Sequence, residues 1–279
     1  MQPNPPLASE LDLIVIEPKS QAAACLEVDT HREVMLRGAE AGRLLPSEIV
    51  TVSVDEQWRH SGRECVRGTV GARRFDAAAL GLPRLRLVEV FVWDPEDEYW
   101  GEEGEPLEDW AVPIVARGPR PAFEMELVLP GADPEDWDGD PITDAVDLRE
   151  AGDMRGARAA LLTLLVADLR CLDAHAHLGN FAFDRRPERA IRHYEAGVRI
   201  GEFALGGGFD GLLPWGLLEN RPFMRCLHGF GLSCWRLDRA DEAAAVFERM
   251  LWLNPGDNQG ARFLLGAVRS GAAWADIDW

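Results

Sequence analysis

At 279 residues, with 47% hydrophobic and 28% charged residues, the chain is long enough for two packed domains and too apolar to be disordered. Its formal net charge of −19 excludes bulk attraction to nucleic acid or to an anionic membrane surface. Lys19 is the one lysine and every other basic side chain is arginine, which a GC-rich coding sequence explains. The first twenty residues carry no basic segment, and Asp12 interrupts the apolar run 11–16, so neither a signal peptide nor a membrane span is expected. The five cysteines are odd in number and form no Cys-x-x-Cys, which points to buried free thiols in a reducing cytoplasm.

In chain order, 11–16 reads as a short strand. A helical stretch is expected over 30–45, with Thr30 as its cap, Val34, Met35 and Ala39 on one side, and Pro46 as its stop. From Glu48 to about Gly131 the period changes to two. Residues 48–58, 63–71, 84–94 and 123–131 alternate as strands, and 72–82 reads as a short helix ending at Gly81. Such a pattern fits a small, strongly bent β-rich domain of the SH3-like or OB-like kind. Seven arginines lie between Trp58 and Arg86, and Arg59, Arg63, Arg67, Arg73 and Arg74 form a candidate face for single-stranded nucleic acid. The competing expectation is that these arginines pair with the acidic segments of the same chain, the first of which, 93–110, holds nine carboxylates and no base.

A second acidic run, 131–144, fails as an EF-hand calcium loop. With Gly139 in the glycine slot, Pro134 and Ala145 fall where the first and last ligands belong. It reads as an acidic linker. Trp93, Trp100, Trp110 and Trp137 argue that both runs are packed down, as a belt over the sheet and across the domain junction.

Beyond Pro141 the spacing is helical. Helix pairs are expected at 143–151 with 154–169, at 174–184 with 187–200, and within 222–255, followed by a solvating helix over 257–268. In the third pair Gly231 is followed by Ala243, Phe247 and Pro255 at offsets of twelve, sixteen and twenty-four, and the second pair carries Leu178-Gly179, Ala190 and Tyr194. In the first pair Ala157 and Leu161 hold the alanine and aromatic slots in weaker form. In these residues the chain resembles the tetratricopeptide repeat (TPR) family, whose unit is a helix–turn–helix of about 34 residues. The resemblance covers residues 140–270, and the whole chain resembles bacterial cytoplasmic TPR proteins. It implies about three repeats plus a capping helix, and a protein or peptide partner held in a concave groove lined by the first helices. The family's groove positions fall on Asp173, His177 and Asn180, on Arg225, His228, Leu232, Trp235 and Arg236, and on Gln259 and Arg262. That lining suits an acidic or carboxylate-bearing peptide, although the lysines of the family's carboxylate clamp are missing. The insertion 201–220 has no Gly-Lys-Ser/Thr after its three glycines and is no phosphate loop.

No serine sits in a Gly-x-Ser-x-Gly elbow, and Cys171, His175, His177 and His193 lack zinc-ligand spacing, so no enzyme, metal or cofactor is expected. The sequence therefore reads as an α+β cytoplasmic interaction or scaffold protein, with a nucleic-acid-binding adaptor as the alternative. Its expected divisions are an N-terminal segment 1–45, a β-rich domain 46–131, an acidic linker 132–142 and a helical domain 143–279.

Overall fold

The computed structural model describes residues 10–102, 105–132 and 139–277. Trp137, the candidate calcium positions 134–138 and most of the expected acidic linker lie outside the described residues. The chain is mixed α and β, with a closed five-stranded barrel first and helices after it.

The barrel is built from β1 (Glu10–Lys19), β2 (Ala22–Glu27), β3 (Glu33–Arg37), β4 (Ile49–His60) and β5 (Arg63–Arg74), in the order β1-β2-β3-β5-β4. Neighbours are antiparallel except β3 and β5, which run parallel from Val34 opposite Glu64 to Arg37 opposite Arg67. Alternation sends Leu11, Leu13 and Val15 inward to meet Ala23, Cys25, Val34, Leu36, Val50, Val52 and Val66. A smaller cluster of Ala22, Met35 and Cys65, with Trp58 against it, forms separately.

Two sequence expectations fail here. The stretch 30–45 is not a helix, because β3 occupies its centre and only Ala41–Arg43 forms a 3-10 turn. Val34, Met35 and Leu36 are all buried, and a strand buried on both faces has no visible period of two. The expected helix over 72–82 is likewise absent: β5 runs to Arg74, and Asp76 then accepts from the amides of Ala78 and Ala79 at 3.1 and 3.2 Å in a tight turn.

The next two strands, β6 (Leu87–Trp93) and β7 (Arg120–Met125), form their own antiparallel pair, with the short helix α1 (Val112–Arg117) between them. Helices follow: α2 (Pro141–Glu150), α3 (Met154–Ala167), α4 (Leu172–Phe183), α5 (Pro187–Leu205), α6 (Arg221–Arg236), α7 (Ala240–Leu253) and α8 (Ala261–Arg269). Their starts follow from local chemistry. Pro141, Pro187 and Pro222 stand in first turns, where no amide is needed, and Asp140 and Asp153 accept from the amides of Ile142 and Gly156 at 2.9 and 2.8 Å.

The contacts divide the chain into two compact units that do not follow the compositional boundaries. Among the described residues, one holds the chain up to Pro83 together with Leu129–Ala174, and the other holds Arg84–Val128 and the residues from His175 onward. In the first, α2 packs on α3 and α3 reaches β1; in the second, α5, α6, α7 and α8 pack successively. Glycines mark where these helices meet. A methyl group on Gly231 would come within 2.7 Å of the Phe247 ring, and the Tyr194 ring fills the space over both Gly179 and Gly229. Ala243 is fully buried beside them, and Gly197 and Gly201 of α5 stand against Cys226 and Phe223 of α6. No helix among the described residues is long and apolar enough to cross a membrane.

Candidate functional site

The residues expected to line a groove sit on α4, α6 and α8, and their surroundings differ sharply. On α4, His177 is half-buried with its ring edge-on to Phe181, 6.5 Å between centroids. Asn180 is exposed, and its Oδ1 accepts from the Tyr194 hydroxyl at 2.7 Å. On α6, Arg225 lies over the Trp215 ring at 5.9 Å. Arg221 covers the same ring at 5.2 Å and donates from Nε to the Trp215 carbonyl at 3.1 Å. Two positive charges thus converge on an indole carried by the insertion before α6. His228, a turn further on, has its imidazole pushed down to about 4 by burial, so it is neutral near pH 7 and offers no cation to a carboxylate.

The far end of α6 is occupied by the chain itself. Trp235 is 3% exposed and donates from Nε1 to the Ala272 carbonyl at 2.9 Å. Arg236 donates to the carbonyls of Phe183 and Asp184 at 3.0 and 2.9 Å, closing the C-terminal end of α4. Trp274 packs edge-on against both Phe183 and Trp235, at 5.6 Å from each, and lies 5.8 Å from the Arg236 guanidinium. Trp235 and Arg236 therefore hold the segment after α8 in place.

Arg262 of α8 stands over Phe263 at 4.6 Å, 3.8 Å from Asp257. It lines a cavity of about 410 Å3 with Trp100, Trp110, Glu98, Glu105 and Glu108. Within the acidic run the indoles fold on one another, Trp93 against Trp100 at 6.4 Å and Trp100 against Trp110 at 5.9 Å. Their N–H groups donate locally, to Glu98, to the Pro95 carbonyl and to Glu108.

On the barrel, Arg59, Arg63 and Arg73 are exposed. Arg67 pairs with Glu56 at 3.1 Å and covers Trp58, while Arg74 pairs with Asp12 at 2.8 Å. The bond from Arg74, joined by one from Thr51, holds the Asp12 carboxyl below its ordinary value. The carboxylates that answer these two arginines come from β1 and β4. Arg63 also lines a cavity of about 570 Å3 over β1, β2 and β3, whose walls mix Ile16, Met35 and Leu82 with Glu17, Glu33 and Arg170.

Two residues that organise this half of the chain gave no sequence signal. Asn220 is fully buried; its Oδ1 accepts from the Met125 amide at 2.8 Å, and its Nδ2 donates to the carbonyls of Phe123 and Pro214 at 2.9 and 3.1 Å. It ties β7 and the insertion to the start of α6. The insertion also runs along β7, since Phe123 donates to Leu212 and Leu212 to Pro121, both at 2.9 Å. Arg120 is fully buried between Trp93 and Trp252, at 5.5 and 4.3 Å, and donates to the Trp252 carbonyl at 3.0 Å. Burial lowers its pKa to about 10. An arginine flanked by prolines reads as a loop residue, and an asparagine before Arg-Pro reads as a helix cap; neither pattern encodes a buried junction.

No protein-family model matches the sequence, and no curated protein matches it either.

Proposed function

We propose that the protein is an interaction module: a TPR-like array of helical hairpins that holds a protein or peptide partner, carried on the same chain as an OB-like barrel. The observation that supports it is the register of small and aromatic residues at the helix contacts. Gly179 with Tyr194, and Gly231 with Ala243 and Phe247, occupy the places where hairpins of that family approach closely. The partner surface in this reading is the side of α4 and α6 that carries His177, Asn180, Arg225 and His228. Arg221 and Arg225 hold the Trp215 ring at one end of it, and a carboxylate-bearing partner is what the resemblance to that family implies. A binding role also suits the thiols. Cys25, Cys171 and Cys234 are buried with pKa values pushed up to about 12, so none is an activated nucleophile, and five buried free cysteines fit a reducing cytoplasm.

Photo-crosslinking tests the reading. A benzophenone side chain placed at Asn180 should label a discrete partner in cells, and one at exposed Arg199 on α5 should not. Equal labelling from both positions would move the partner off this surface. The second reading, a nucleic-acid adaptor, draws its support from exposed Arg59, Arg63 and Arg73. It requires that a single-stranded oligonucleotide bind with a steep salt dependence that falls when these three become alanine.

A further inference from the structure

The strand β6 carries the residues Leu87-Val88-Glu89-Val90-Phe91-Val92-Trp93, and most of it faces solvent. Val88 is 44% exposed, Val90 48%, Phe91 43% and Val92 62%. Large apolar side chains scattered singly over a surface are ordinary, but four within five residues of one strand are not. The backbone is open as well. On one side β6 pairs with β7, while the other edge of β7 is taken by Leu212 of the insertion, so among the described residues β6 is the free edge of its sheet. The register with β7 slips between Glu89 and Phe91, which leaves Val90 out of that pairing. Exposed edges are normally blunted by a charge or a proline, and here a lone Glu89 is the only such residue in the strand.

The flanks of the strand decide what fits there. Arg84 and Arg86 precede it, and Asp94, Glu96, Asp97 and Glu98 follow it, all at least partly accessible. A strand with a basic entry and an acidic exit is complementary to itself when reversed. Antiparallel pairing of two copies about Val90 sets Val88 opposite Val92 and Arg86 opposite Asp94, with Arg84 toward Glu96. Parallel pairing would set arginine beside arginine and carboxylate beside carboxylate. Like charges directly opposite destabilise a strand pair, whereas opposite charges and β-branched pairs favour it.

We propose that β6 is a homodimerisation edge, at which a second copy of this chain adds its own β6 antiparallel about a two-fold axis at Val90. The two β6–β7 pairs then become one continuous sheet, the valines and Phe91 of each copy cover those of the other, and the contact is closed by symmetry.

Sedimentation equilibrium on the full chain, from about 1 μM to about 0.1 mM, covers the range in which interfaces of modest size associate. The parent is expected to dimerise. Val90→Lys places two ammonium groups face to face on the axis and should weaken the dimer at least about tenfold. Arg86→Glu and Asp94→Arg should each weaken it, and the double variant should recover most of the loss, because the swapped pair again faces its opposite across the axis. Val90→Cys should form a disulfide between copies under mild oxidation, since residues opposite each other on paired strands stand about 4.5–5.5 Å apart. Leu218→Cys, 59% exposed in the parent, is the control that should not cross-link. A parent that stays monomeric throughout overturns the proposal. So does a dimer indifferent to Val90→Lys, or one in which the charge-swapped double is no better than the singles.

Discussion

The same substitution should change stability in opposite directions at two helical glycines, and the structure says why. Gly179 of α4 is buried with the Tyr194 ring lying over it, and a methyl group there would fall inside the contact radius of that ring. The ring cannot retreat. Gly229 of α6 closes on it just as tightly, and its hydroxyl is fixed to Asn180 Oδ1 at 2.7 Å. Gly179→Ala gains about 1 kcal/mol of helix propensity. Because the ring is closed on both sides, the upper part of the usual overpacking range applies, roughly 2–3 kcal/mol, so the net should be a loss of about 1–2 kcal/mol. Gly266 of α8 is exposed, and a methyl group there would meet nothing within 4 Å. Gly266→Ala should therefore keep the propensity gain alone and stabilise by about 0.5–1 kcal/mol. Urea melts followed by tryptophan fluorescence should separate the two variants by roughly 0.5 M or more in midpoint, given slopes of about 2–3 kcal/mol/M for a chain of this size. If Gly179→Ala raises the midpoint as Gly266→Ala does, the glycine–tyrosine contact is not tight and the close approach of these helices is refuted.

Asn220→Ala removes three hydrogen bonds and leaves the buried Met125 amide without its acceptor, so it should cost about 2–4 kcal/mol in the same melts. Asn220→Ala within 0.5 kcal/mol of the parent would show that the junction of β7, the insertion and α6 does not depend on it. Arg236→Lys keeps the charge but loses the two-pronged closure of α4 and the stacking on Phe183 and Trp274. It should destabilise by about 1–2 kcal/mol and raise proteolysis after α8, whereas Arg59→Lys should leave both unchanged. His228 has a folded pKa of about 4, below its unfolded value near 6.5, so its contribution is intact above about pH 6.5 and is lost as pH falls toward 4. His228→Leu should flatten that part of the stability profile, and an unaltered profile would show that His228 is not the group being protonated.

The helices were legible because their signals are local. Proline in first turns, aspartate at caps and a 3.6-residue stripe all act within a few residues, and the predicted helices fall close to α2 through α8. The barrel was harder. Its closure depends on β1 meeting β4 and on β3 running parallel to β5, pairings between distant segments that leave no mark in a window of ten residues. Residues 30–45 misled because Val34, Met35 and Leu36 are each buried, two in the barrel core and Met35 in the Trp58 cluster, so a strand presented the unbroken apolar run of a helix. The strand 84–94 was found, while 123–131 overlaps only the last three residues of β7, which begins at Arg120, and nothing in the alternation said the two would pair with each other instead of joining the barrel. For the candidate groove, spacing correctly placed Arg225, His228, Trp235 and Arg236 on one helix. It carried no information about Trp215 or Trp274, the rings that decide what those arginines do.

The arginines show how far composition can be read. A coding bias would explain the single lysine, but not where the guanidinium groups stand. Arg67 lies over Trp58, Arg84 over Phe203, Arg120 between Trp93 and Trp252, Arg221 and Arg225 over Trp215, and Arg236 over Phe183 and Trp274. A flat, weakly hydrated cation can cover an aromatic face while still donating at its rim, and a lysine ammonium cannot do both. In a chain with ten tryptophans and a net charge of −19, arginine thus fixes rings in place as well as balancing carboxylates. A guanidinium spent on a ring and a carbonyl, as at Arg236, is not available to capture a passing anion, so a motif count of basic residues overstates the binding surface. Conversely, an apolar stretch with no such cover among the described residues stays about half open to water. Val88, Val90, Phe91 and Val92 are that stretch, which is why the search for a partner begins at β6 as well as at α4 and α6.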